Sequence, residues 1–246
     1  MFEYMKLEIR RVLRDRRYLI FSIGFPLGFY LMYTRAVSAT DTVDHMPWAT
    51  FYMVSMATFG AIGAALQSGG TRVATERANG WIKQLRATPL PPRGYLVAKG
   101  GAAMAVAFPS VFLIALAGRL FNHVSLSAAS WVEMVGLVWL CALPFAVLGV
   151  LLGYLFTVDS AQAGTTLTLF ALAIFGGMWW PFQLMPRAMR YIGEATPSYH
   201  FANIGWRIVS GDAPRVSDLA VVALYAIVLG AITMWKYRSD SSWRSA

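Results

Sequence analysis

Apolar residues run along this chain in long blocks separated by short polar, mostly basic stretches. Six such blocks occupy 18–33, 48–67, 99–121, 131–156, 161–180 and 216–235. A helix crossing a hydrocarbon core about 30 Å thick needs about 20 apolar residues. The blocks lie near that length and lack the polar stripe of a helix that packs on a soluble core. They predict six membrane-spanning helices, of which the first is the shortest and is interrupted by Pro26.

The segments between them are equally patterned. In residues 2–17, Phe2, Met5, Ile9 and Val12 recur at helical spacing, and Lys6, Arg10, Arg14 and Arg17 line a neighbouring face. This predicts an amphipathic helix in the headgroup plane, with a solvated basic tail as the plainer alternative. Ala36-Val37-Ser38-Ala39 resembles a signal-cleavage site, but the arginine-rich region ahead of the first block is too long for a signal peptide. Only 157–160 separates the fourth block from the fifth, with Asp159 or Ser160 as the expected N-cap. Residues 181–215 carry Pro181, Pro186, Pro197 and Pro214 among apolar residues. That is too broken to span and too apolar for a free loop, so short interfacial or re-entrant helices are expected.

Charge sets the orientation. Lys6, Arg10, Arg11, Arg14, Arg16, Arg17, Arg72, Arg77, Lys83, Arg86, Arg93, Lys99, Lys236, Arg238 and Arg244, 15 in all, fall on the side of the N-terminus. Arg35, Arg119, Arg187, Arg190, Arg207 and Arg215, six in all, fall on the other. The positive-inside rule then places both termini in the cytoplasm of a multi-pass plasma-membrane protein. It also accounts for the net charge of +9 without nucleic acid, since the basic residues flank apolar spans and meet lipid headgroups. The expected organisation is one all-α transmembrane domain over 1–246: an interfacial helix (1–17), a six-span bundle (18–236) and a tail (237–246).

The spans are informative for what they omit. With 57% hydrophobic and 13% charged residues, the chain places no Asp, Glu, Lys, Arg or His near the middle of any span. Charges at that depth cost about 2.5–3.5 kcal/mol and are kept for function, so their absence argues against a proton-driven pump. His45, His123 and His200 fall between spans, which removes haem ligation and an intramembrane serine–histidine site. The single Cys141 permits no intramolecular disulfide and no multi-cysteine metal site. There is no GxxxxGK[ST] phosphate loop. No catalytic residue, metal or bound cofactor is expected, and any energy for transport must come from another subunit.

Residues 68–98 carry the most specific signal. Helical character over 71–86, with Val73, Ile82 and Leu85 apolar among charges, ends at Thr88-Pro89-Leu90-Pro91-Pro92. Lys99 is expected to anchor the next span at the interface. Such a helix suits the groove of a soluble partner, although an ordinary connector would read similarly. Thr75-Glu76-Arg77, Gly80-Trp81, Gln84-Leu85-Arg86, Thr88-Pro89-Leu90 and Gly94-Tyr95-Leu96 resemble the corresponding loop of the ABC type-2 exporter permease family. The block order and Gly176-Gly177-Met178-Trp179-Trp180-Pro181-Phe182 with Leu184-Met185-Pro186 extend the resemblance over the whole chain. Ala78-Asn79 departs from it, standing where the family often keeps another charge.

The resemblance implies a coupling helix between spans 2 and 3. Thr75, Glu76, Arg77, Gly80, Trp81, Gln84 and Leu85 would meet separate ATP-binding-cassette subunits, with Glu76 and Arg77 as polar contacts and Trp81 as an apolar anchor. ATP and Mg would bind in those partners, and a second permease subunit, identical or related, would complete the assembly. In the first span, Phe21, Phe25, Phe29 and Tyr33 form an aromatic stripe beside Gly24 and Gly28. This reads as a substrate path or dimer seam, or as plain packing with lipid contact. Gly149 and Gly153 repeat the spacing and read as packing. Trp179 and Trp180 are either an outer gate or interfacial anchors. The expected function is export of a hydrophobic or amphipathic compound such as an antibiotic, drug or lipid. The rivals are a non-transport immunity or scaffold protein and a sodium-coupled carrier.

Overall fold

The computed structural model describes residues 2–36, 42–43, 45–88 and 92–239, without the side chains of Arg17, Lys83, Arg86, Pro92 and Arg93. Pro89, Leu90 and Pro91 of the expected helix stop and the tail from 240 onward lie outside the described residues. Among the described residues, five helices are long and apolar enough to cross a bilayer: Trp48–Ala78, Gly94–Phe121, Ala128–Leu155, Val158–Phe175 and Val216–Ser239.

The first apolar block is helical but composite. It consists of α2 (Arg16–Leu19), a π-helical turn (Ile20–Gly24) and α3 (Phe25–Ala36). Pro26 has no N–H for the carbonyl of Ser22 and its ring crowds that turn, so a wider π turn before the proline relieves the clash. The orphaned Ser22 carbonyl accepts instead from the Ser110 hydroxyl at 3.3 Å. The proline therefore distorts the helix without ending it. Ahead of it, α1 (Phe2–Leu13) turns its Glu8 and Val12 inward. Thr42–Val43 and Met46–Pro47 pair as a two-residue antiparallel ribbon, a small departure from the all-α expectation.

α4 (Trp48–Ala78) is the hub, touching α3, α6 (Pro92–Phe121), α8 (Leu143–Leu155), α9 (Val158–Phe175) and α11 (Pro197–Val209). Its most apolar stretch is 94% buried, against 22% in α9 and 17% in α12 (Val216–Ser239), which leaves those two with free faces. α4 runs on through Ser68-Gly69-Gly70, where a loop was expected, because close packing rather than local propensity decides there. A Cβ on Gly149 of α8 would lie 2.5 Å from the Leu66 carbonyl oxygen, and one on Gly153 would lie 2.8 Å from that of Gly70. Small residues on both helices let the backbones touch, which compensates for the poor helix propensity of glycine. The packing role read for Gly149 and Gly153 is the one observed.

α7 (Ala128–Leu140) and α8 form one kinked span, with Pro144 in the first turn of α8 and Ser127 capping α7 by accepting from the Ser130 N–H at 3.1 Å. The cap of α9 is Thr157 rather than Asp159 or Ser160. The Thr157 N–H donates to Ser160 Oγ at 3.1 Å in a reciprocal capping box. The proline-broken segment folds as a 3-10 turn (Phe182–Leu184), α10 (Arg187–Glu194) and α11. α11 inserts between α4, α7 and α12, and its buried Trp206 indole donates to the Phe51 carbonyl at 3.3 Å and Ser55 Oγ at 3.2 Å.

Candidate functional site

The helix end that carries the 68–98 segment is built around buried charge. α4 stays helical through Ala78. The chain then turns at Asn79 and Gly80, where Gly80 takes a left-handed φ of +70°, and restarts as the short α5 (Trp81–Arg86). Glycine adopts that conformation without a Cβ penalty. The single coupling helix expected over 71–86 is thus two pieces, the extended tip of α4 and α5, because the one helix-breaking residue lies in its middle.

Glu76 is buried in the tip. Its Oε1 is 2.6 Å from Lys99 Nζ and 3.3 Å from an Arg11 guanidinium nitrogen, and its Oε2 accepts from the Tyr95 hydroxyl at 3.0 Å. Lys99 also donates to Glu8 Oε2 at 2.7 Å, and its side chain is 2% exposed. One ammonium in α6 therefore holds carboxylates from α1 and α4, and the three helix ends are tied at one point. The interfacial anchor expected of Lys99 is instead an internal one. Buried charge is tolerated only when paired and hydrogen-bonded, as here.

Around this cluster lies an aromatic and aliphatic layer. Tyr4 stacks on Tyr95 and Tyr95 on Tyr237, while Ile82 and Leu85 of α5 pack with Val73, Val150 and Tyr154. Burial, with the nearby Glu8 carboxylate second, holds the Tyr4 hydroxyl above the usual phenol range, so it stays neutral. Arg77 points away from Glu76. It donates to the carbonyls of Gly153 and Tyr154 at 3.0 Å each, satisfying the C-terminal end of α8, and stacks over the Tyr154 ring.

The residues expected to face a partner thus divide. Glu76 and Arg77 are engaged within the chain, and Leu85 is half-buried on the inner side of α5. Thr75, Trp81 and Gln84 are exposed, Trp81 to 40%. Glu8 was not singled out in the sequence, and Lys99 and Tyr95 were read there only as an interfacial anchor and as part of a family motif; a glutamate among the basic residues of the amphipathic helix was the available signal.

The aromatic stripe also divides. Phe25 and Phe29 turn inward and join Phe59, Phe170 and Trp179 in one cluster with ring centroids 4.5–6.4 Å apart. Tyr33 packs on Tyr52 at 5.1 Å. Phe21 is 71% exposed. A Cβ at Gly28 would meet nothing within 4 Å and one at Gly24 only its own helix, so this glycine pair makes no close packing within the chain. Trp179 belongs to the inner cluster and Trp180 is exposed. Between α2–α3, α4 and α9 a cleft of about 1280 Å³ runs from these aromatic rings to Arg11, Arg14 and Arg72 beside the α4 tip.

The model of the family described as "ABC-2 family transporter protein" matches residues 33–235. A Bacillus subtilis (strain 168) protein described as "Putative transport permease YvfS" is 33% identical over 237 residues, which cover 96% of this chain and 96% of the relative.

Proposed function

Because the chain belongs to the ABC-2 family of transporter membrane proteins, we propose that it is the non-catalytic permease subunit of an ATP-driven exporter. In this reading residues 16–36 form a sixth span, and both termini and the α4–α5–α6 connection face the cytoplasm. Separate ATP-binding-cassette subunits, which carry the ATP and Mg, dock beneath the connection, and a second permease chain completes the assembly. The cargo is a hydrophobic or amphipathic compound taken outward across the plasma membrane.

The observation that carries this proposal is the buried tie of Glu8, Glu76 and Lys99 beneath an exposed Trp81. A free connector would have no need of three helix ends locked to one ammonium. A partner pressing on Trp81 and Gln84 would move α5, and the packed α5 would move the tip of α4. Since α4 touches α3, α6, α7, α8, α9 and α11 as well as α5, displacement at the tip reaches most of the bundle. Thr75, Trp81 and Gln84 form the contact surface in this scheme. Glu76 and Arg77 position it, the first through Lys99 and the second through the end of α8, and Gly80 supplies the turn.

The test is co-purification of the full-length chain with an ATP-binding-cassette ATPase encoded beside it, followed by ATP hydrolysis in liposomes. Trp81→Ala is expected to lose the ATPase at an unchanged thermal transition. Glu76→Gln is expected to keep some partner binding but lose stimulated hydrolysis. Normal binding and stimulation by Trp81→Ala would refute the docking surface. Substrate movement driven by a sodium gradient without ATP would refute the exporter reading.

A further inference from the structure

The cleft beside α4 has a polarity gradient along its length. Its wall on α4 runs from Phe59 to Glu76, a rise of about 26 Å at 1.5 Å per residue. At the end away from the charges the lining is aromatic, with Phe21, Phe25, Phe59 and Phe170. In the middle it is neutral and hydrogen-bonding, with Gln67 and Thr71 facing Gln162 and Thr166 across the gap. At the mouth it is Arg11, Arg14 and Arg72, with the carboxylates of Asp15 and Glu76.

The charges at the mouth are unevenly committed. Asp15 is held by Arg72 at 2.9 Å, and Glu76 by Arg11 at 3.3 Å and Lys99 at 2.6 Å. Both acids are therefore already paired, and an arriving cation finds neither open. Arg14 is exposed, and Arg11 and Arg72 each use one of their five N–H donors in those ion pairs. An arriving anion finds donors on all three.

We propose that this cleft binds an amphipathic anion drawn from the cytoplasmic leaflet, its acidic head among Arg11, Arg14 and Arg72 and its apolar chain along Phe21, Phe59 and Phe170. This rests on the permease reading and names the charge class of its cargo. The cleft volume of about 1280 Å³ exceeds the roughly 300–1,000 Å³ of drug-sized sites, which suits a long or bulky amphiphile. Basic pockets at the cytoplasmic ends of membrane helices recognise acidic headgroups through the same charge-assisted bonds. The head also lies beside Asn79 and Trp81, so occupancy is felt where the ATPase docks.

The test uses the purified full-length chain in detergent without any ATPase, titrated with pyrene-labelled hexadecanoate, its methyl ester and the matching alkylammonium. Energy transfer from tryptophan to pyrene reports binding. The carboxylate is expected to bind about tenfold tighter than either analogue. Arg14→Gln should cut that preference about fivefold, and Thr166→Trp, which fills the middle of the cleft, should weaken all three probes. Should Thr166→Trp fail to fold, Gln162→Trp on the exposed part of α9 replaces it. Equal affinity for the alkylammonium overturns the anion assignment, and unchanged carboxylate binding in the cleft-filling variant overturns the location. In a Cys141→Ala background, a Gln162→Cys disulfide between two copies that excludes the probe would give the groove to a second copy instead. Because no ATPase is present, failure here leaves the Trp81 docking test untouched.

Discussion

Replacing Lys99 by methionine probes the buried tie most directly. At an effective dielectric of about 20, each of its contacts, at 2.7 Å to Glu8 and 2.6 Å to Glu76, is worth about 6 kcal/mol in gross attraction. Desolvation of three buried groups offsets much of this, and removing one partner of a buried pair costs about 3–5 kcal/mol net. Lys99→Met keeps the length and apolar bulk of the side chain, so the loss is one of charge. It leaves Glu76 with Arg11 and Tyr95 but removes the ammonium from Glu8. A chain of this size shifts its transition by about 2–4 °C per kcal/mol, so Tm should fall by about 6–20 °C. Thermal unfolding of the purified full-length chain in detergent, followed by tryptophan fluorescence, measures it. Brief trypsin treatment should also cleave α1 faster in the variant, because α1 loses its anchor. Glu8→Gln should cost less, about 1–3 kcal/mol, since Lys99 and Glu76 remain paired. Lys99→Met combined with Glu8→Gln and Glu76→Gln should recover about half of the loss. A Tm within about 2 °C of the parent for Lys99→Met alone, with α1 still protected, would refute the view that this cluster holds the three helix ends together.

Two further outcomes test the packing. Gly149→Leu should destabilise by at least about 1–3 kcal/mol, because its Cβ would meet the Leu66 backbone, whereas Gly28→Leu, with nothing within 4 Å, should leave the Tm of the isolated chain unchanged; thermal unfolding of the pair separates them. Trp206→Phe keeps the stack on Phe51 but leaves the Phe51 carbonyl and Ser55 Oγ without the indole donor, so a loss of about 1–2 kcal/mol is expected in the same assay.

Hydropathy marked the helices well because it is a local sum. About twenty apolar residues in a row can satisfy their backbone in lipid only by forming a helix, wherever the rest of the chain lies. The Gly149–Gly153 spacing was legible for a similar reason, since two small residues four apart make a groove whatever fills it. Local signals misled where a distant contact overrode them. Ser68-Gly69-Gly70 looked like a loop and is helical because α8 presses against it. Pro26 looked like a break and is a distortion because Ser110 takes up the freed carbonyl.

The site was legible only as a segment. Sequence placed a short polar helix over 71–86 and named Glu76, Arg77 and Trp81, which proved to lie on different sides of it. Whether a charged residue in that stretch faces water or a neighbour depends on what stands opposite, and for Glu76 the charged neighbours are 23 and 65 residues away in the chain, at Lys99 and Arg11. Composition, span positions and the basic asymmetry of the loops were set by the sequence alone, because each is a property of consecutive residues in contact with lipid or water. The Glu8–Lys99–Glu76 tie, the outward position of Trp81 and the graded cleft beside α4 were decided by the tertiary structure. They exist only where packing of α1, α4, α6 and α9 brings remote side chains within a few ångströms of each other.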